Sequence, residues 1–163
     1  MTNILIVRSA PIQQLDASLS KIKLKFNNPN MSILSHEHSI ELLNKYEGIK
    51  KCITYPFKES FDISRKAKFD AGERFDHAVV MVGNLSGCGF HNVLFFALSL
   101  PAQKIWVCNL IGELTPISRA GIILKSFRNQ AFKFLALLST AIFCLFAFPL
   151  LFIFLNRKSS SSV

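Results

Sequence analysis

A glycine-rich loop, Gly83–Gly89 with the sequence GNLSGCG, is the clearest ligand-binding candidate in the chain. It follows an apolar run that predicts a strand, and such a loop can expose backbone N–H groups to an anion. The expected contacts come from Asn84, Ser86, Gly87 and Gly89. The loop is neither a dinucleotide fingerprint nor a P-loop, because GxGxxG does not follow the first strand and GK[ST] is absent. It either contacts a sugar or phosphate group of a ligand or is a plain turn.

Three other sets of side chains could carry chemistry. Arg8 ends the first predicted strand, where a guanidinium can hold an anionic group. His36 and His38 would share a face only in an extended segment, and the pattern predicts a helix there, which disfavours a metal site. Cys88 and His91 lack an assignable third group for a thiol nucleophile. The sequence therefore predicts no metal site and no cofactor.

The C-terminal third contains an uncharged apolar segment, residues 134–155, FLALLSTAIFCLFAFPLLFIFL. A helix of this length spans about 33 Å, which is enough for a bilayer core of about 30 Å. A domain of this size could not surround a helix that is apolar on every face. We therefore expect one transmembrane helix, followed by a short polar tail, residues 156–163.

The charge distribution predicts the orientation of this span. Up to Glu113 the chain has thirteen basic and ten acidic residues, and after Glu113 it has six basic residues and no acid. A nucleic-acid binder usually carries its basic excess on the folded domain, so no nucleic acid is expected as a partner. The N-terminus lacks the order of a signal peptide. The basic residues favour a cytoplasmic N-terminal domain at the inner membrane, with the tail outside. Four of them precede the span and two follow it: Arg119, Lys125, Arg128 and Lys133, then Arg157 and Lys158.

Residues 116–133, PISRAGIILKSFRNQAFK, combine apolar residues at helical spacing with basic residues elsewhere. This pattern is typical of an amphipathic juxtamembrane helix that lies on membrane lipid headgroups. An ordinary helix that packs on the domain and continues into the span is the alternative.

The N-terminal body alternates short apolar runs with helical patterns, which predicts a mostly parallel five-stranded sheet with flanking helices, a Rossmann-like α/β domain over residues 1–115. The predicted strands are Asn3–Val7, Met31–Leu34, Lys50–Thr54, Asp76–Val82 and Lys104–Asn109. The predicted helices are Gln13–Phe26, His36–Tyr46 and Phe90–Leu100, and Ser60–Phe69 is a weaker helix or a loop. In such a sheet ligands bind beyond the carboxyl ends of the strands.

The order of these segments resembles the N-terminal, acceptor-side domain of the heptosyltransferase-type glycosyltransferases (family 9). The resemblance rests on ILIVR, on the N-P-N turn before MSILSHE, on HSIELLNKYEGIKKCITYPF, on FDHAVVMVGN and on GFHNVLFFALSLPAQKIWVCN, and it covers about residues 3–115. It implies a GT-B fold and a role in building bacterial lipopolysaccharide. No single motif is strong; the order and the spacing together carry the resemblance.

This chain departs from the family at the loop after the first strand. The family has Gly-Asp there, and the resemblance implies that the Asp activates the acceptor. Here Gln13 and Gln14 stand in that place, an amide cannot take the proton, and Asp16 is the nearest acid. The implied acceptor-binding residues are Arg8, Gln13, Gln14 and the glycine-rich loop, with Asp16 as the weak candidate base.

The family's donor-binding domain is missing, and the predicted span takes its place. The sequence therefore predicts a membrane-anchored, glycosyltransferase-like acceptor-binding half that is incomplete as an enzyme. Its expected partners are membrane lipid, a glycolipid acceptor and a protein that supplies a nucleotide-sugar-binding domain. A non-catalytic membrane-anchored scaffold with a degenerate glycosyltransferase fold, or a truncated gene product, is the alternative.

Overall fold

The computed structural model describes residues 1–160, so the last three residues of the predicted tail lie outside it. The chain divides into two compact units, of which the first is Met1–Ile123. That unit contains a six-stranded sheet with helices on both faces, which confirms the predicted mixed α/β, mostly parallel fold. The strands are Asn3–Arg8 (β1), Asn30–His36 (β2), Ile49–Tyr55 (β3), Phe75–Met81 (β4), Ala102–Cys108 (β5) and Leu114–Ile117 (β6).

The strands lie in the order β3-β2-β1-β4-β5-β6. The first five run parallel, and β6 pairs with β5 antiparallel. The chain moves outward from β1 to β3 and then returns to place β4 on the other side of β1. This reversal between β1 and β4 is the topological switch point, where open α/β sheets bind ligands.

Alternation along β1 separates the core into two layers. Ile4 and Ile6 face the layer that covers helix α1 (Ile12–Lys25), whereas Leu5 and Val7 face the layer that covers helix α3 (His91–Ala97). All four side chains are fully buried. Strands with both faces covered read as continuous apolar runs, which is the pattern that predicted them.

The sixth strand was not predicted. Its first two residues, Leu114 and Thr115, precede the predicted amphipathic segment 116–133, and its last two, Pro116 and Ile117, belong to that segment. The helix therefore begins at Arg119 and not at Pro116. Proline is tolerated because β6 is an edge strand, where one side of the strand makes no ladder hydrogen bonds.

The predicted helix His36–Tyr46 is shorter than expected, and Ser60–Phe69, predicted as a weaker helix or a loop, is a loop. The strand β2 continues through His36, which pairs in register with Tyr55, so a single 3-10 turn, Glu37–Ser39, and the short helix α2, Ile40–Leu43, replace the predicted helix His36–Tyr46. The segment Ser60–Phe69 is irregular. Its apolar side chains lie against the core without a helix, since Phe61 is buried beside Tyr55 and Phe96.

The last element is helix α4, Arg119–Ser160, with 42 residues and Pro149 inside it. Within the described residues it is the one helix long and apolar enough to cross a membrane, by length and composition. Its side chains from Phe134 to Phe148 are almost all exposed, and Phe148 is 78% exposed. Only the backbone is described for Lys125, Asn129 and residues 150–160.

Candidate functional site

A cleft of about 440 Å³ opens at the carboxyl edge of the sheet, beyond the switch point between β1 and β4. The ends of β1 and β2, the loop after β3 and the start of α3 form its walls. Its lining consists of Arg8, Ser9, Ala10, His36, His38, Ser60, Phe61, Gly89, Phe90, Asn92 and Val93. Position, concavity and convergent polar groups together make it the candidate site of the domain.

The register of the sheet places the cleft. Arg8 is the last residue of β1 and lies opposite Met81, the last residue of β4. One residue later, the hydroxyl of Ser9 donates a hydrogen bond to the carbonyl of Met81. The segments that follow β1 and β4 then diverge, since the first leads into α1 and the second into α3, on opposite faces of the sheet. Divergence at the switch point leaves a crevice that no side chain of the core fills.

Arg8 is half-buried, and three neutral groups orient its guanidinium. Nε donates to the Ser35 hydroxyl at 2.9 Å, one terminal nitrogen donates to the Ala10 carbonyl at 3.2 Å, and the other donates to the Ser39 hydroxyl. Burial lowers the pKa of Arg8 below its ordinary value, and the nearby Tyr46 hydroxyl opposes this change. Arginine stays charged even so, because its ordinary pKa lies far above neutral pH.

The charge of Arg8 has no carboxylate partner in the structure. No salt bridge within residues 1–160 includes it, whereas Arg65 pairs with Glu59 and Lys51 pairs with Asp70 and Glu73. No Asp or Glu lines the cleft either. A half-buried cation without a counter-ion is costly unless an anion neutralises it. The cleft is therefore suited to an anionic group.

Two histidines form the wall of the cleft beside β2. The rings of His36 and His38 stack with their centroids 5.8 Å apart. His36 also contacts the Tyr55 and Phe61 rings, and its Nε2 lies 2.9 Å from the Glu59 carbonyl oxygen. Because β2 extends through His36, the expected helical arrangement of this pair is wrong. Within residues 1–160 no three metal-ligating side chains come together.

A second groove of about 270 Å³ adjoins the cleft along the same histidine wall. Its other lining residues are Glu37, Tyr55, Pro56, Phe57 and Lys58. Phe90 in the cleft and Phe57 in the groove are partly exposed aromatic side chains, and the Arg65 guanidinium lies 5.2 Å from the Phe57 ring centroid. The two cavities share His36 and His38 in their linings.

The glycine-rich loop is held together mainly by its own side chains. The Asn84 side chain accepts a hydrogen bond from the Gly87 N–H at 2.6 Å and donates one to the Cys88 carbonyl at 2.7 Å. The Ser86 hydroxyl accepts one from the Cys88 N–H at 3.3 Å. Of the loop residues predicted to bind, only Gly89 lines the cleft. Its φ of 85° favours glycine, and a Cβ there would meet no other atom within 4 Å.

The two glutamines after the first strand, Gln13 and Gln14, have different environments. Gln13 is exposed on the first turn of α1. Gln14 is buried, and its amide donates to the carbonyls of Val82 and Asn109 at 2.9 and 3.0 Å, which ties α1 to the ends of β4 and β5. Neither side chain lines the cleft.

Asp16 also lies outside the cleft lining. It is exposed on α1, and its hydrogen bond with the Tyr46 hydroxyl raises the pKa of that tyrosine. The structure thus brings together Arg8 and Gly89 among the predicted site residues. It places Asp16, Gln13, Gln14, Asn84, Ser86 and Gly87 elsewhere.

Most of the cleft lining was not singled out from the sequence as a binding site. Several of these residues do follow predicted strands at the carboxyl edge of the sheet: Arg8 follows the first, His36 follows the second, and Gly89 lies in the glycine-rich loop after the fourth. Their position after predicted parallel strands was therefore the signal in the sequence that could have identified them as lining residues. Ser60 and Phe61 could not be found in this way, because the segment that carries them was assigned no clear element.

No protein-family model matches this chain, and neither the curated proteins nor the solved structures give a match. The resemblance to the heptosyltransferase-type glycosyltransferases therefore stays a prediction. What the sequence and geometry establish is an α/β domain with a cationic cleft at its switch point, on a chain that also carries one candidate membrane helix.

Proposed function

We propose that this chain is a membrane-anchored, glycosyltransferase-like protein of bacterial envelope glycan synthesis, and that its Rossmann-like, GT-B-type domain binds an anionic glycolipid acceptor in the cleft. A partner protein supplies the nucleotide-sugar-binding domain. The observation that carries this proposal is Arg8, a half-buried cation in the switch-point cleft that has no carboxylate partner among residues 1–160.

The absence of acids from the cleft lining favours binding over complete catalysis by this chain. General-base activation of a sugar hydroxyl needs a group within hydrogen-bond reach of that hydroxyl. Asp16, the candidate base from the sequence, is held by Tyr46 outside the cleft lining. A partner that closes over the cleft can contribute both the donor sugar and the missing base.

Helix α4 supports the membrane part of the proposal. The described side chains between Phe134 and Pro149 are uncharged and almost all exposed. Lipid would bury them, because a domain of about 120 residues cannot. The basic residues before the span are suited to anionic headgroups on the cytoplasmic side, which keeps the domain next to a glycolipid acceptor.

The first test measures ligand binding by the full chain in nonionic detergent. An anionic oligosaccharide should bind, and its neutral counterpart of the same length should bind far more weakly. Arg8→Gln should reduce the affinity roughly 10- to 100-fold, as expected for loss of charge-assisted hydrogen bonds. Arg65→Gln is the matched control, because Arg65 pairs with Glu59 and does not line the cleft. Equal binding by wild type and Arg8→Gln would contradict the proposal.

The second test concerns the partner. Proteins co-purified from detergent-solubilised membranes are combined with the chain in a nucleotide-sugar transfer assay. We expect transfer only when both the chain and its partner are present. Transfer by the chain alone would show that it is a complete enzyme.

A non-catalytic scaffold is the second candidate, and one observation favours it. Position 14, where the resemblance implies a base, holds an amide that cross-links α1 to β4 and β5. A scaffold would co-purify with its partner even when Arg8→Gln removes ligand binding, and partner-dependent transfer would not occur.

A further inference from the structure

We propose that His36 and His38 complete, with Arg8, a binding site for a phosphate monoester whose affinity increases as the pH falls. The inference rests on the proposed function, since it names the anionic group that the cleft holds and the regulation of its binding. The two imidazoles and the guanidinium line one cleft of about 440 Å³.

Arg8 retains hydrogen-bonding capacity for such a group. A guanidinium has five N–H donors, and the contacts to Ser35, Ala10 and Ser39 engage three of them. Two donors therefore remain, which is the number needed for a bidentate contact with two phosphate oxygens. The third oxygen of a phosphate monoester is then available to a histidine.

His36 can accept a proton without losing its present contact. Its Nε2 faces the Glu59 carbonyl at 2.9 Å, and since a carbonyl only accepts, Nε2 carries the hydrogen. Nδ1 is then the nitrogen that takes up a proton. The imidazolium keeps the bond to the carbonyl and adds a donor and a positive charge.

The groups around this pair leave the added charge available to a ligand. Glu37, next to both histidines, is exposed, and the Glu59 carboxylate pairs with Arg65 at 2.6 Å. The rings of Tyr55 and Phe61 pack on His36. The remaining titratable or charged groups nearby are Arg8 at the end of β1, Lys58 in the adjoining groove and His91 at the start of α3, which does not line the cleft.

The pH dependence follows from the charge of the two imidazoles. Histidine side chains as a class change charge between about pH 5 and pH 8. Protonation of either imidazole would add a positive charge to a cleft whose lining holds no acidic residue. A phosphate monoester gains a proton near pH 6 itself, which partly hides the effect. A sulfate monoester has a similar shape and keeps its charge throughout this range, so it reports the protein alone.

The experiment titrates glucose 6-sulfate into the full chain in nonionic detergent at pH 5.5 and pH 8, with glucose 6-phosphate and glucose in parallel. Glucose 6-sulfate should bind about tenfold more tightly at pH 5.5 than at pH 8, as expected for added charge-assisted contacts. Glucose should bind equally weakly at both values. Equal affinity of the sulfate ester at the two pH values would overturn the inference.

Variants assign the effect to residues. His38→Gln is the safest, because His38 is exposed, and it should reduce the pH dependence. The double variant His36→Gln/His38→Gln should abolish it. His77→Gln is the matched control, since His77 lies in β4 beside Phe26 and Trp106 and does not line the cleft. A pH dependence that survives the double variant contradicts the inference.

The outcomes also separate this inference from the proposed function. Binding that is lost in Arg8→Gln but does not depend on pH contradicts only the proposed role of the two histidines and leaves the proposed function standing. If neither ester binds at either pH, both the proposed function and the role of the histidines are contradicted. Lipid-borne and soluble sources of the ester are distinguished with the chain in nanodiscs. Phosphatidic acid discs should weaken the apparent affinity for glucose 6-phosphate more than phosphatidylglycerol discs do, which are also anionic but carry no monoester, only if the headgroup competes for the cleft.

Discussion

The α/β domain and helix α4 use the same apolar residue types and treat them in opposite ways. In the domain, Ile4 and Ile6 are completely buried by the sheet and α1. In α4, Phe143 and Phe148 are 71% and 78% exposed. The domain provides its own apolar environment, whereas most of the described side chains of α4 from Phe134 to Phe148 have none in the structure. Apolar composition alone therefore does not distinguish a buried core segment from an exposed apolar helix. What distinguishes them is how much of the chain is available to pack around the segment.

Membrane partitioning should show the contrast most strongly. The full chain should sediment with membranes after ultracentrifugation and enter the aqueous phase only with detergent, whereas a chain ending at Lys133 should stay in the aqueous fraction without it. The reason is the loss of the uncharged segment that lipid buries. Immunoblots of the two fractions measure the effect. A full chain that remains aqueous without detergent would remove the basis of the comparison.

The second effect is on core stability. Phe96 is fully buried against Tyr55 and Phe61, so Phe96→Ala should lower the free energy of unfolding of the domain by about 3–5 kcal/mol. The matched change in the exposed helix, Phe143→Ala, should alter it by less than about 0.5 kcal/mol. Trp106 is the only tryptophan and lies in β5, so its fluorescence during denaturation reports the domain. Similar losses in both variants would contradict the assignment of Phe143 outside the core.

The third effect tests position 14. Gln14→Glu should destabilise the domain by about 2–4 kcal/mol at neutral pH, because a buried carboxylate would face the Val82 and Asn109 carbonyls without a donor. Gln13→Glu, one residue away and exposed, should leave stability within about 0.5 kcal/mol. Transfer activity that appears in Gln14→Glu would instead show that a base can act from this position.

Acid sensitivity, the weakest of the four effects, should belong to the domain alone. Burial lowers the pKa of His77, and Lys104 adds to this while Asp76 opposes it. As the pH falls, His77 of the unfolded chain therefore takes up a proton at a higher pH than His77 of the folded domain does. The contribution of neutral His77 to stability is present above the pKa of His77 in the unfolded chain, and it is lost as the pH falls through the lowered pKa in the folded domain. His77→Gln should reduce this loss in denaturation curves between pH 7 and pH 5. Membrane partitioning should not change over the same range.

Part of the candidate site could be predicted from the sequence. Arg8 was placed correctly because it follows a buried apolar strand, and the carboxyl ends of parallel strands share one edge. Gly89 follows from the same rule. The histidine wall was missed because the sequence pattern around His36 has a helical period, and only pairing with Tyr55 on β3 keeps it extended.

Local patterns of apolar and polar residues were enough to predict the succession of the five parallel strands and the position of the apolar segment. That Gln13 and Gln14 stand where the heptosyltransferase-type glycosyltransferases have Gly-Asp depends on the resemblance and stays a prediction. The folded domain was needed to learn that Gln14 hydrogen-bonds to the ends of two strands, that Asp16 pairs with Tyr46, and that Arg8 lines one cleft with two histidines. These facts depend on contacts between residues far apart in the chain, which strand order and register create and no local pattern encodes.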